Sequence, residues 1–283
     1  SAQSGTVNFV ATTTGKVIDP GSSSFYNLSF SGVGGNWSFS TSTITVGNNF
    51  TVATGTVTMP TATTTIAGSF DATTGTFSHN NGTIIFNAAS AKTIHPGTQS
   101  FYDLVFNGTG SWSFTSANAT SSRTTILTAG TLTAPSGTFA IGGSYLKNGG
   151  TFTHNSGTLK FTSATAHSVR LGNSDAYNLT FAGSATNTFL DTNATSTNTV
   201  RFQSGTAVLP SGTLAVGGSW INSAGAFTHS SGTVRFNSTD TGESIQAGSS
   251  NFYNLLFDNT GGGWTISQNA TSTARATPCM QCP

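Results

Sequence analysis

A chain of 283 residues is long enough for one large or two ordinary domains, yet only 6% of it is charged and its formal net charge is +1. That excludes the clustered Lys and Arg that nucleic acid or an anionic membrane surface would need; the nine basic residues lie scattered from Lys16 to Arg275. No apolar run approaches the ~20 residues of a membrane span, and 11% aromatic content, with 21 Phe, does not suit a disordered chain.

Solubility must therefore rest on neutral polar groups, and Ser and Thr make up roughly a third of the chain. The chain opens Ser1-Ala2-Gln3 without Met, as a mature protein does after signal-peptide removal. Cysteine-poor and Thr/Ser/Asn/Gly-rich, it has the profile of an extracellular or cell-surface protein.

In chain order, the first segments alternate polar and apolar residues in steps of two. Val7 and Phe9 point one way, and Thr6 and Asn8 the other. This period predicts short strands near residues 5–9, 15–19, 25–30, 36–40, 43–46, 49–53, 55–59, 64–70 and 75–79. Gly, Asn, Ser and Pro punctuate them, and no stretch carries a helical apolar stripe. At Gly82 the pattern starts again. Gly5-Thr6-Val7-Asn8-Phe9 returns as Gly82-Thr83-Ile84-Ile85-Phe86, as Gly157-Thr158-Leu159-Lys160-Phe161 and as Gly232-Thr233-Val234-Arg235-Phe236. A fixed period marks an array in which each unit stacks on the next. The repeats span residues 5–81, 82–156, 157–231 and 232–267, followed by a tail at 268–283. Nine strands per repeat divide into three coils of about 25 residues, the proportion of a parallel β-helix. The predicted fold is all-β: one parallel β-solenoid over residues 1–267. A string of small β-sandwiches is the rival, but such units are small for sandwiches without disulfides.

Phrases such as Gly130-Thr131-Leu132-Thr133-Ala134, Gly137-Thr138-Phe139-Ala140-Ile141-Gly142-Gly143-Ser144 and Gly212-Thr213-Leu214-Ala215-Val216-Gly217-Gly218-Ser219 resemble the repeats of large bacterial surface proteins, the filamentous-haemagglutinin-like and autotransporter-adhesin-like passengers. The resemblance implies a right-handed parallel β-helix and a role in secretion, adhesion or surface structure. It carries over no functional residue.

Candidate sites follow the repeat. Tyr26, Tyr102, Tyr177 and Tyr253 match across copies, as do Trp37, Trp112 and Trp264, with Phe189 standing for Trp in the third copy. Exposed, these rings would stack on sugars; turned inward, they are core, and the core reading is preferred. His79, His154 and His229 share one repeat position. Three coils per repeat would set them about 14 Å apart along the axis, too far to share an ion, so a turn role is expected. The acids are sparse, and Asp240 with Glu243 is their only close pair, which argues against an enzyme. No catalytic residue, metal site or cofactor is indicated. Ten Asn-x-Ser/Thr sequons occur, of which Asn118, Asn193 and Asn269 match across copies as glycosylation candidates. Cys279 and Cys282 are candidates for a local disulfide or an inter-subunit link. Thr-x-Thr steps such as Thr43-Ile44-Thr45 do not recur once per coil by this reading.

The fourth copy is short, and neither end shows a divergent cap. The expectation is an extracellular structural protein that assembles with itself, head to tail, into a filament, with residues 268–283 as the docking segment. A monomeric adhesin or glycan-binding module is the alternative; neither nucleic acid nor a membrane span is expected.

Overall fold

The computed structural model describes residues 4–268 and 270–277. They form parallel β-solenoid throughout, with no helix among the described residues. Two compact units divide the chain: residues 1–136 with 148–152, and residues 137–147 with 153–283.

In the first unit three parallel sheets make the coil walls. One contains Thr6–Phe9, Asn27–Phe30, Phe50–Val52, Phe70–Asp71, Lys92–His95, Ser111–Phe114 and Thr131–Thr133. A second contains Lys16–Ile18, Asn36–Phe39, Thr56–Thr58 and Thr76–Ser78. The third contains Thr43–Val46, Thr63–Ile66, Thr83–Phe86, Asp103–Phe106 and Thr125–Leu127. The strand positions read from period two are therefore occupied, with one predicted strand split into Thr63–Ile66 and Phe70–Asp71.

The second unit follows the same plan. One of its sheets contains Thr138–Ile141, Thr158–Phe161, Asn178–Phe181, Val200–Phe202, Trp220–Asn222, Glu243–Gln246 and Trp264–Ile266. Another ends in Ala194–Ser196, Thr213–Val216, Thr233–Phe236, Phe252–Phe257 and Ser272–Thr277. Part of the segment set apart by sequence as a tail is thus a strand, paired to Phe252–Phe257.

Coil length differs from the sequence expectation. Thr6 faces Asn27, Leu28 faces Phe50 and Phe50 faces Phe70, steps of 21, 22 and 20 residues rather than about 25. The step stretches to 24 where Phe70 faces Ile94 and Tyr145 faces Val169, and to 25 where Trp220 faces Ile245. Passing from Thr6–Phe9 to its equivalent Thr83–Phe86 therefore takes three coils and two further strands. The equivalent lands on a different sheet. The same holds in the second unit for Thr158–Phe161 and Thr233–Phe236. The blurred sub-period in the sequence is this mismatch: coil and repeat are not commensurate.

The core follows from the pleat. Inward ranks carry Leu28, Phe30, Phe50 and Phe70, all at most 1% exposed. Aromatic rings stack between adjacent coils, with centroids 5.4 Å apart for Phe9–Phe30 and Phe86–Phe106, and 5.3 Å for Phe50–Phe70. Register also corrects one assignment. Lys92 faces Trp112, His167 faces Asn187 and Glu243 faces Trp264, so Asn187, not Phe189, occupies the tryptophan position of the third copy. Phe189 faces Val169, as Phe114 faces Ile94.

The neighbouring residues change with it. Gly35, Gly110 and Gly262 stand two residues before a tryptophan, whereas Ala185 stands before Asn187. A methyl on Gly35 would sit 2.5 Å from the Trp37 ring, and one on Gly262 would sit 2.3 Å from Trp264. The indole is one of the contacts that favour glycine there; the Ala11 carbonyl oxygen, 2.1 Å from a methyl on Gly35, is another. Asn187 is fully buried, and neither its carbonyl nor its amide has a hydrogen-bond partner.

Candidate functional site

The repeated surface features are corners, and the histidines organise one of them. His79-Asn80-Asn81-Gly82 makes a tight turn in which Asn80 and Asn81 both have positive φ, 48° and 59°. Asn155 with Ser156, and Ser230 with Ser231, repeat it. Gly82 N–H donates to the His79 carbonyl at 2.8 Å, closing a turn with two left-handed central residues. The imidazole holds the same turn from the side chain. Asn81 N–H donates to His79 Nδ1 at 3.0 Å, Ser156 to His154 Nδ1 at 3.0 Å and Ser231 to His229 Nδ1 at 3.1 Å.

Each ring then packs on the tyrosine of the next coil: His79 on Tyr102 at 5.3 Å, His154 on Tyr177 at 5.5 Å and His229 on Tyr253 at 5.2 Å. These tyrosines, and Tyr26, are half-exposed rather than core, because the preceding residue of each strand takes the inward position. Trp37 and Trp112 are buried, while Trp264 is partly exposed. Burial lowers the pKa of His79, which favours the neutral ring that accepts the turn hydrogen bond. In the second unit His154 and His229 precede strands of different sheets, so distance along the axis is not all that separates them.

The residue after each tyrosine fixes a second corner. Asn27 Oδ1 accepts from Asn48 Nδ2 at 2.9 Å and from Asn49 N–H at 3.2 Å. Asn178 Oδ1 accepts from Asn198 Nδ2 at 3.0 Å and from Thr199 N–H at 3.2 Å. In the second copy the pair is Asp103 and Arg123, joined at 2.9 Å, with Asp103 Oδ1 accepting from Thr124 N–H. Both partners change together, from an amide pair to an ion pair.

A third corner surrounds the long-coil loop. In the third copy the Asp191 carboxylate accepts from Leu171 N–H at 2.6 Å and Gly172 N–H at 3.2 Å. From the preceding coil, Lys147 Nζ donates to the Gly172 carbonyl at 2.7 Å. In the fourth copy Asn222 Nδ2 donates instead to the carbonyl of Ala247, one residue before Gly248, at 2.9 Å. In the second copy Ser116 stands where Asp191 would, and Pro96 has no N–H to offer. What remains there is an open concavity of about 440 Å³ beside Gly97, Gln99, Ser116 and Asn118. Gln99 Oε1 and Ser116 Oγ are buried on its wall without hydrogen-bond partners.

The sequon residues Asn118 and Asn193 are both exposed on this corner, and Asn193 Oδ1 also accepts from Thr213 N–H at 2.8 Å. Asn269, Cys279 and Cys282 lie outside the described residues. Thr-x-Thr steps do align in register over part of one face: Thr43 and Thr45 face Thr63 and Thr65, and Thr63 faces Thr83. Glu243 is engaged by Ser219 Oγ at 2.5 Å, and Asp240 N–H by Ser238 Oγ at 3.1 Å. Among the described residues no group of three or more His, Cys, Asp or Glu could hold a metal ion, and no helix is long and apolar enough to cross a membrane.

Sequence reading missed the residues that meet only through coil register. Lys160 and Arg201 are the main case, each facing Thr180 from an adjacent strand. Only the coil length, hidden by the repeat, could have revealed them. No protein family, curated protein or solved structure matches the chain.

Proposed function

We propose that this is an extracellular structural protein that extends head to tail by parallel strand addition, building a filament or surface fibre. The observation that carries the reading is the stacking itself, in which parallel strands cover one another through apolar inward ranks. Val7 occupies the rank of Leu28, which is 1% exposed, yet Val7 itself is 43% exposed. Val10 and Val17 of the same coil are 62% and 65% exposed. Among the described residues Thr6–Phe9 is hydrogen-bonded to Asn27–Phe30 only, and Ser272–Thr277 to Phe252–Phe257 only.

Any chain that covers Thr6–Phe9 must bring a parallel strand with an apolar inward rank, and another copy of this protein carries many. A free strand edge is a template for such pairing. The nearly uncharged exterior supports association as well, because it offers little electrostatic repulsion. Secretion to the cell exterior rests on the neutral, cysteine-poor composition.

Negative-stain imaging and sedimentation of the purified full chain test the reading. Filaments are expected, and Val7→Lys should shift the protein to single particles while circular dichroism stays unchanged. Single particles from the unaltered chain at every concentration, or filaments undiminished by Val7→Lys, would overturn it.

A further inference from the structure

Lys160, Thr180 and Arg201 are in register on three successive strands of the second unit. Leu179 and Phe181, at most 1% exposed, face the core, so the pleat turns Thr180 outward. Thr180 is nevertheless only 8% exposed, which places it on the floor of a depression rather than on a flat wall. With strands ~4.8 Å apart, the Cα atoms of Lys160 and Arg201 stand about 10 Å from each other across it. Both long side chains reach that far.

The adjoining rank is fixed and polar. Asn178 Nδ2 donates to Thr158 Oγ1 at 3.3 Å, and Asn178 Oδ1 accepts from Asn198 Nδ2 and Thr199 N–H. Thr158, Asn178, Thr180, Thr199 and Arg201 together line a depression of about 180 Å³.

Charge is what sets this place apart. The ion pairs among the described residues, Arg123–Asp103 and Arg235–Asp258, use other cations. The outward positions of these three strands carry Thr158, Lys160, Asn178, Thr180 and Arg201, with no carboxylate among them. In a chain with nine basic residues, two stand on one rank without an acid between them.

We propose that this depression binds an acidic polysaccharide through its uronate carboxylates. Arg201 offers the planar fork that matches a carboxylate, Lys160 a second cation two strands away, and the threonine hydroxyls pair with sugar hydroxyls. The ligand is a polymer because one exposed carboxylate–cation pair is weak by itself, and a chain of carboxylates engages both cations at once. The proposal is independent of assembly.

Binding of polygalacturonate to the full-length protein, read by biolayer interferometry, tests it. Binding is expected at about 50 mM NaCl and lost at about 500 mM, where screening is short-ranged. Lys160→Gln and Arg201→Gln should each weaken it by about tenfold, and the double variant should abolish it. Lys92→Gln, in the other unit, should change nothing. Free galacturonate should bind far more weakly than the polymer. Equal binding to neutral dextran, preference for dextran sulfate, undiminished binding by the folded double variant, or no binding by the unaltered chain would each overturn the proposal.

Discussion

The third copy lacks the tryptophan that is buried in the first and second, and restoring it tests the packing argument directly. The perturbation is the pair Ala185→Gly and Asn187→Trp, which writes the Gly-x-Trp of Gly35–Trp37 into the third copy. A fully buried Trp removes roughly 150–250 Å² from water, about 4–6 kcal/mol gross at ~25 cal/mol per Å². The exchange also removes a buried amide whose two polar ends are unpaired, each costing about 1–3 kcal/mol. Against this stand the ordering of the indole and its N–H, since Trp112 Nε1 is likewise buried without an acceptor. A net gain of about 2–4 kcal/mol is expected for the pair. Asn187→Trp alone meets the Ala185 methyl, as a methyl on Gly35 would meet Trp37 at 2.5 Å, and overpacking of that kind costs about 1–3 kcal/mol. Ala185→Gly alone loses about 1 kcal/mol of backbone and packing free energy. Urea unfolding of the four proteins of this double-mutant cycle should give a coupling of about 2 kcal/mol or more in favour of the pair. Additive effects within about 0.5 kcal/mol, or an Asn187→Trp single variant as stable as the pair, would refute the reasoning.

Two further outcomes follow from the corners. The neutral His79 ring accepts the Asn81 N–H, and burial lowers its pKa below the ordinary 6.5. Because the folded state resists protonation, the contribution of this turn is present in full above 6.5 and is lost as the pH falls below it toward the folded value. The effect is small, since the ring is only partly buried. Urea midpoints of the native chain and His79→Gln between neutral and mildly acid pH should show a shallower acid slope in the variant; parallel slopes would refute the assignment. At the loop corner, Lys147→Ala should cost about 1.5–3 kcal/mol, the range for a hydrogen bond to a charged group, whereas Lys147→Asn should cost less than half of that because Asn222, at the same rank, reaches a carbonyl of the matching loop, that of Ala247. Thermal melts check both, and equal losses would show that the Gly172 carbonyl contact is not what matters.

Much of the architecture is legible in the sequence, because a half-buried strand announces itself in steps of two. Thr6–Phe9, Asn36–Phe39 and Thr56–Thr58 lie where alternation puts them. Coil length is not legible, because the corners are built from interchangeable small residues and the pairing that defines a coil joins residues about 20 positions apart. The tryptophan series shows the cost. Matching by the nearest aromatic selects Phe189, whereas pairing with His167 selects Asn187. The turn role of His79 can be read from its Asn-Asn-Gly context, but its packing on Tyr102 depends on the coil step. Lys160 and Arg201 become neighbours of Thr180 by the same step and by nothing local.

The mismatch between coil and repeat also defines what the open edge of Thr6–Phe9 accepts. Its internal equivalents show the answer, because each is covered on the side that Thr6–Phe9 leaves free. Thr83–Phe86 is covered there by Thr63–Ile66, Thr158–Phe161 by Thr138–Ile141, and Thr233–Phe236 by Thr213–Val216. Every covering strand begins with Thr and ends in Ile or Val, with its last residue turned into the core. Strands of one copy thus pack on non-equivalent strands, and no segment is stacked on its own repeat, the arrangement that drives cross-β aggregation. The last described strand, Ser272–Thr277, is of another kind: Ala276 faces Leu255, on the rank where the covers Thr138–Ile141 and Thr213–Val216 carry Phe139 and Leu214. On the filament reading, a joint made through Ala276 buries less apolar surface than Leu214 and Val216 bury against Val234 and Phe236, so molecules should part from one another before they unfold.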